Sequence, residues 1–424
     1  MMPPRRLPLV RLNPDQWLNL AFAALATVYV GFTAASLLGL GLFANVGWDF
    51  RGFWASAEIA RSVGFAEVYS LDIQEQFQRP LYDAYAQSAA RFAYATNPTP
   101  FLAIFVLPFE LLLPFGPVGG FLIFTVLNAG IQVAYLWRFS RALGGYGDRR
   151  LFLAVMLSLP VFANLLYGQV NLWLTICLGE FLLAAVRGQG MRGGLWLGGL
   201  LLKPQTLVLL LPGLLLGRQW KTLAGFAASG LVLVAASVLL TGIPGMLGYL
   251  QILTGYAGRL PINYPEHMTN WRALAVNLTL LVSPEIAWGL ASVGLVLTLG
   301  LALSLWLRPV AWSSSQFVLV LLGTYAATLA VTWHAHLHMA MPMIVPLVWL
   351  AAKGRVSRRM LVGWLVAPGL LYILIMLLGI GMLLDILPLI PDRGQRLVGC
   401  GMLILNVAVT IWAARQLGRR EAAA

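Results

Sequence analysis

Long apolar runs separated by short polar breaks make up most of this chain, and run length is the first signal to read. Trp17 to Ala44 is almost continuously apolar, and further runs fall near 117–137, 150–165, 171–186, 193–203, 204–217, 222–241, 284–307, 314–333, 339–352, 359–384 and 396–414. Roughly 20 apolar residues cross about 30 Å of hydrocarbon as a helix, and no segment alternates in the way a barrel strand needs. The pattern predicts an all-α, polytopic membrane protein with about twelve helical spans. The runs flanking Lys203-Pro204 are short, so these helices are expected to be tilted, broken or shielded from lipid by neighbours.

The breaks carry as much information as the runs. Residues 45–97 are far more polar, with Asp49, Glu58, Glu67, Asp72, Glu75 and Asp83, and apolar positions at helical spacing such as Phe53, Ala57, Ala60 and Phe65. They predict an outer loop built of short amphipathic helices on the membrane surface. Residues 98–114 are apolar but bracketed by Pro98, Pro100, Pro108 and Pro114; a full span there would put the basic segment 138–150 outside. The positive-inside bias therefore favours a re-entrant or interfacial segment. No soluble domain, internal repeat or low-complexity linker interrupts the chain, which reads as one membrane-embedded domain over 1–424. Within it, 17–350 form the working module, with outer loops at 45–116 and 242–283, and 351–424 add C-terminal helices.

Composition sharpens this picture. Of the residues, 60% are hydrophobic and 10% charged, with a mean hydropathy of +0.82, outside the range of a soluble domain. The net charge of +13 could point to nucleic acid, but 19 of the 28 lysines and arginines fall on the inner side of the expected topology. That asymmetry is the positive-inside bias of a cell (inner) membrane protein with cytoplasmic termini, and no nucleic-acid partner is needed to explain it. Arg5, Arg6 and Arg11 resemble the start of a signal peptide, but the apolar stretch is too long and no cleavage site follows closely, so the first helix is expected to be retained. The two cysteines, Cys177 and Cys400, lie within apolar runs and support neither a disulfide framework nor a metal site.

Acidic residues show the reverse bias: 11 of 15 fall outside, together with all four histidines. The titratable chemistry is therefore concentrated on one face, away from ATP and nucleotide sugars. Five segments there carry it. Asp49, between Trp48 and Phe50 at the end of the first run, is a carboxylate partly shielded by aromatics and suited to take a proton from a hydroxyl. Tyr167-Gly168-Gln169-Val170-Asn171 is a polar turn between apolar runs, whose Tyr167, Gln169 and Asn171 suit sugar hydroxyls or a phosphate. Lys203, beside Pro204, is the only lysine before residue 220, and a lysine in an apolar region needs water or an anion. The loop after residue 242 offers Arg259, His267, Asn270, Trp271 and Arg272, suited to carbohydrate or lipid headgroups. Trp333-His334-Ala335-His336-Leu337-His338 could place His334 and His338 on one helical face, but no acidic residue completes a metallopeptidase pattern, and phosphate or hydroxyl binding is the expectation.

The order of these features resembles the membrane-embedded GT-C glycosyltransferases: an acid after the first span, a long outer loop, a Gly-Gln-x-Asn turn, a Lys-Pro break, and a Trp/His-rich segment before Pro342. Within that class the chain is most similar to the bacterial polyprenyl-phosphate-sugar-dependent family of α-mannosyltransferases and related arabinofuranosyltransferases, over most of residues 17–350. The resemblance implies inverting transfer of a sugar, mannose first among the candidates, from a polyprenyl-phosphate donor to a hydroxyl of a lipid or glycan at the outer face. It implies Asp49 as base and Lys203 facing the donor phosphate; by chemistry, Arg259 and the histidines, His334 and His336 among them, also have the charge or hydrogen bonding that a leaving phosphate needs. His336 matches the more C-terminal family histidine, although the family's adjacent pair is here split by Ala335. Neither a cofactor nor a metal is implied; the partners are the polyprenyl-phosphate sugar, the acceptor and the bilayer. The alternative is a transporter or flippase of a lipid-linked sugar, since broken helices with polar groups also mark carriers.

Overall fold

Helices follow the apolar runs closely, and they stop or bend where proline and glycine interrupt the pattern. The computed structural model describes residues 13–35, 42–43, 46–85, 94, 96–145, 149–256, 265, 268–308, 310–383 and 391–421. Its helices are α1 Pro14–Ala35, α2 Trp48–Ser62, α3 Leu71–Tyr85, α4 Leu107–Glu110, α5 Gly116–Ala142, α6 Arg149–Met156, α7 Leu159–Tyr167, α8 Asn171–Val186 and α9 Gly190–Gly198. There follow α10 Leu210–Leu216, α11 Trp220–Tyr256, α12 Trp271–Leu278, α13 Pro284–Trp306, α14 Ser315–Val331, α15 Ile344–Ala352, α16 Arg358–Leu383 and α17 Pro391–Glu421. No sheet forms among the described residues, in agreement with an all-α polytopic protein.

By length and composition, five segments could cross a membrane: Pro14–Ala35, Leu113–Ala142, Trp220–Gly255, Pro284–Trp306 and Val398–Gly418. The pair α6–α7, bent by 49°, would add a sixth. The other expected spans in the described region include shorter apolar helices, among them α8 and α14. Their surroundings explain why they can be short. Fourteen residues of α14 are buried in the protein, as is most of α8 apart from the face that carries the exposed Trp173, whereas only 11% of the α11 window is covered. The long α11 lies at the rim and the short α14 at the centre.

Three breaks depart from simple spans. Residues 103–115 hold no continuous helix, only short turns at Ala103–Val106, Leu107–Glu110 and Leu113–Phe115, as the prolines require. The chain from Gly199 to Leu207 is two short 3-10 turns meeting at Lys203, whose backbone is extended (φ −141°, ψ 82°) ahead of Pro204. A third, 3-10, segment runs from Leu337 to Met343, around Pro342.

Two expectations need correction. Helix α2 is not an exposed amphipathic helix: ten of its 15 residues are buried in the protein, with Phe50 and Phe53 packed against Phe101, Phe109, Phe121 and Phe124. This polar-looking segment folds into the core, because its aromatic residues bury large apolar area there. The segment expected as irregular loop from residue 242 instead stays helical to Tyr256, after a kink of α11 at Gly242.

The contact between α2 and the end of α7 sets the geometry. Gly168 has φ +68°, and a Cβ there would lie 2.6 Å from the Cβ of Phe50. Gly168→Ala is therefore expected to cost about 2–4 kcal/mol, from backbone strain together with overpacking. Denaturant or thermal unfolding in detergent measures it, and an unchanged midpoint would show that α2 and α7 do not meet so closely.

Candidate active site

The first turn of α2 is suspended from the end of α7. The Gly47 amide donates to the Leu166 carbonyl at 2.8 Å, and the Arg51 amide donates to the Gly47 carbonyl at 2.9 Å. Asp49 thus lies in the first turn of a helix, where unpaired amides favour a carboxylate. Behind it, Arg51 is fully buried, its guanidinium 4.6 Å from the ring centre of Trp48, 5.5 Å from Tyr82 and 5.3 Å from Tyr94, and its Nη1 donates to the Phe43 carbonyl at 3.1 Å. By charge count alone Arg51 is one more outer-loop cation. The fold makes it the buried link between the turn before α2, α2 itself, α3 and Tyr94.

Asn97 holds Asp49 from the other side, its Nδ2 donating to Asp49 Oδ1 at 3.1 Å. Asn97 is itself fixed by α3. Gln78 accepts from the Asn97 amide and donates to the Asn97 carbonyl, both at 2.8 Å, while Gln74 accepts from the Thr99 amide at 3.1 Å and donates to the Val68 carbonyl at 2.6 Å. Ser56 of α2 bonds Thr99 as well. Gly52 leaves room for this strand of chain, since a Cβ there would lie 3.0 Å from the Asn97 carbonyl oxygen. None of Asn97, Gln74 and Gln78 stands out in the sequence. The available signal was the spacing of Gln74 and Gln78 by four residues on one helical face of a segment otherwise read as solvated.

Asp49 opens into a cavity of about 410 Å³. Asn97, Gln169, Lys203, Gln205 and His334 supply its polar lining, and Phe53, Pro100, Val208, Leu253, Val331 and Trp333 most of its apolar walls. Lys203, 4% exposed, approaches His338 Nε2 at 3.5 Å, and no ion pair joins it to Asp49 among those of the described residues. An acid and a cation therefore share one cavity without closing on each other. Asp49 belongs to α2, outside the spanning helices, and burial pushes its carboxyl above the usual range. The Lys203 charge, hydrogen bonds from Gln169 and Asn97, and the Arg51 charge pull it partly back.

The remaining sequence candidates divide. Gln169 reaches Asp49 and the cavity. Asn171 lies outside the lining and spends its amide on Asn164, whose Oδ1 accepts from both its backbone N–H (3.0 Å) and its Nδ2 (3.1 Å). Tyr167 stands edge-on to His338, ring centres 6.2 Å apart. Asn270 caps α12, accepting from the Ala273 amide at 2.9 Å, and its Nδ2 donates to the carbonyls of Thr332 (2.9 Å) and Trp333 (3.2 Å). Trp271 donates to Thr298 Oγ1 at 3.1 Å. These two thus position the Trp/His segment and α13, outside the cavity lining. Arg259 and His267 lie outside the described residues.

The three histidines form a row: ring centres are 4.8 Å apart for His334 and His336, and 5.8 Å for His336 and His338. His334 faces the cavity, His338 meets Lys203, and His336 lies between. His334, in the link after α14, is pushed down to about 3 by burial and by the charges of Lys203 and Arg272, so it is neutral at physiological pH. Arg272, whose guanidinium lies 4.5 Å from the Trp333 ring centre, adds a second cation behind this edge of the site.

Asn97→Ala removes a donor to the Asp49 carboxylate, and losing a bond to the charged form raises the pKa further. Labelling by a hydrophobic carbodiimide, which attacks protonated carboxyls, followed by peptide mass spectrometry, is expected to show the half-labelling pH of Asp49 moving upward in Asn97→Ala. No movement would remove Asn97 as its partner.

No curated protein and no solved structure matches the chain. A family model described as Glycosyltransferase family 87 matches residues 96–333. That stretch is more than half of the chain; it begins next to Asn97, includes Gln169 and Lys203, and ends at Trp333 beside His334. With this match, the chain belongs to glycosyltransferase family 87 and is a membrane glycosyltransferase of the GT-C type.

Proposed function

We propose that the protein transfers a sugar, with mannose the first to test, from a polyprenyl-phosphate donor to a hydroxyl of a lipid or glycan, at the outer face of the membrane and with inversion at the anomeric carbon. One observation carries the reading: a carboxylate held by Asn97 and a nearly buried lysine line the same cavity without forming an ion pair. Family membership favours transfer over the alternative of carrying a lipid-linked sugar across the bilayer.

In this reading the acceptor hydroxyl gives its proton to Asp49 while its oxygen attacks the anomeric carbon. The bond from that carbon to the phosphate oxygen breaks, and the phosphate leaves with the electron pair. A carboxyl whose pKa is raised by burial is a stronger base than an exposed one. Lys203 supplies positive charge where the leaving phosphate gains negative charge, and neutral His334 contributes hydrogen bonding without adding charge. The apolar walls from Phe53, Pro100, Val208 and Leu253 suit the first isoprene units of the donor.

The test supplies purified protein in lipid with polyprenyl-phosphate mannose and candidate glycolipid acceptors. Asp49→Asn is expected to lower kcat on the order of 10²- to 10⁴-fold, as for loss of a general base; full activity would sink the assignment. Lys203→Ala is expected to weaken donor binding by about 10- to 100-fold, the worth of one charge-assisted hydrogen bond, and unchanged donor affinity would remove Lys203 from the phosphate site. Because Asp49 must be ionised to act and its pKa is raised, the rate should fall with decreasing pH at higher pH than for an ordinary exposed carboxylate. An acid limb in the usual range would contradict the role of burial.

A further inference from the structure

A second cavity, of about 450 Å³, lies at the other end of the bundle. Helix α14 touches both: Val331 at its C-terminal end lines the first cavity, and Phe317 and Val320 near its N-terminal end line the second. The eleven steps from Val320 to Val331 correspond to roughly 16 Å along a helix. The segment around α10 repeats the arrangement, with Val208 before it on the first cavity and Leu216 to Gln219 at its end on the second. The two cavities therefore open toward opposite ends of the same central helices.

Chemistry distinguishes the second cavity from the first. Its lining includes Arg218 and Arg308 and no acidic residue. Arg308 is steadied against α17, its Nη1 donating to the Ala414 carbonyl at 3.5 Å. Arg218 adopts a left-handed backbone, φ +51°, which is uncommon for a residue with a side chain. The aromatic wall is fixed: Trp306 donates to Thr324 Oγ1 at 2.8 Å, and Trp312 stacks on Phe317 with ring centres 4.3 Å apart. Beside these guanidinium groups the surface turns apolar, with Leu215, Leu216 and Leu307 exposed at 51%, 44% and 70%. In a membrane protein such an exposed apolar rim meets lipid chains, which puts the neighbouring guanidinium groups at headgroup depth, where a phospholipid can place its phosphate at the arginines and its chains along the leucines. The volume falls within the range of small-molecule sites.

We infer that this cavity binds the phosphate headgroup of an anionic phospholipid in the leaflet opposite the catalytic cavity. The inference stands apart from the sugar donor and acceptor, because it needs neither Asp49 nor Lys203.

The experiment uses the full-length protein in phosphatidylcholine nanodiscs containing phosphatidylglycerol, with lipid retention after release read by native mass spectrometry. Wild type is expected to retain phosphatidylglycerol in preference to phosphatidylcholine, and Arg218→Gln/Arg308→Gln to lose that preference, with affinity falling by about 10-fold or more. Arg218→Gln alone removes only an exposed side chain, so it tests the site even if the double variant does not fold; it is expected to weaken retention about 3- to 10-fold. Equal retention in wild type and Arg218→Gln would overturn the inference. Displacement of the lipid by millimolar inorganic phosphate would also overturn it, in favour of a soluble anion. Glycosyl transfer is not the readout, so failure of the catalytic reading leaves this result intact.

Discussion

Holding a carboxylate inside an apolar protein is the constraint on which the catalytic half of this structure depends. A charge in apolar surroundings is costly without partners, and the half-buried Asp49 is surrounded by hydrogen bonds and positive charge. Asn97, Gln169, Lys203 and Arg51 each provide part of this, from different stretches of chain. Each partner needs support in turn. Asn97 is held by Gln78, the neighbouring Thr99 by Gln74, and α2 is packed by its phenylalanines against α5 and the broken segment before it. The polar segment after the first helix has consequently become core.

The arrangement of helix lengths follows from the same need. The little-covered α11 and α13 present apolar surface suited to lipid, which accepts apolar side chains but no unpaired backbone. Short helices in the centre are covered by protein, and there the chain can break at Lys203-Pro204 and around Pro342 without exposing backbone to lipid. These breaks turn polar side chains into a shared space. The cavity lies where a broken helix, the α7–α8 turn and the link after α14 approach the first turn of α2.

The family match covers the chain from just before Asn97 to Trp333, and it includes Gln169 and Lys203. Asp49 and the three histidines fall outside it in sequence, yet Asp49 and His334 line the same cavity as the matched residues, and His338 lies against Lys203. Residues that position others, such as Asn270 capping α12 while bonding Thr332 and Trp333, bring the Trp/His segment to that cavity from a distant part of the chain.

How much was legible in the sequence depended on whether the property is local. Run length and the placement of proline determined the helices, since a helix forms by bonds within one segment: α8, α13 and α14 lie within a residue or two of the apolar runs that announced them, and the broken segment before α5 follows from its prolines. Asp49, Lys203 and Gln169 were also visible, because a polar residue in apolar surroundings needs a reason. The structure alone decided that these three share a cavity. It also decided that Asn171, Asn270 and Trp271 turn to the fold, that Arg51 is buried, and that Asn97, which nothing in the sequence marks, joins Gln169 in holding the acid. Each of those outcomes depends on contacts between segments far apart in the chain: a hydrogen bond takes the partner that packing brings within about 3 Å, and no single segment carries that information.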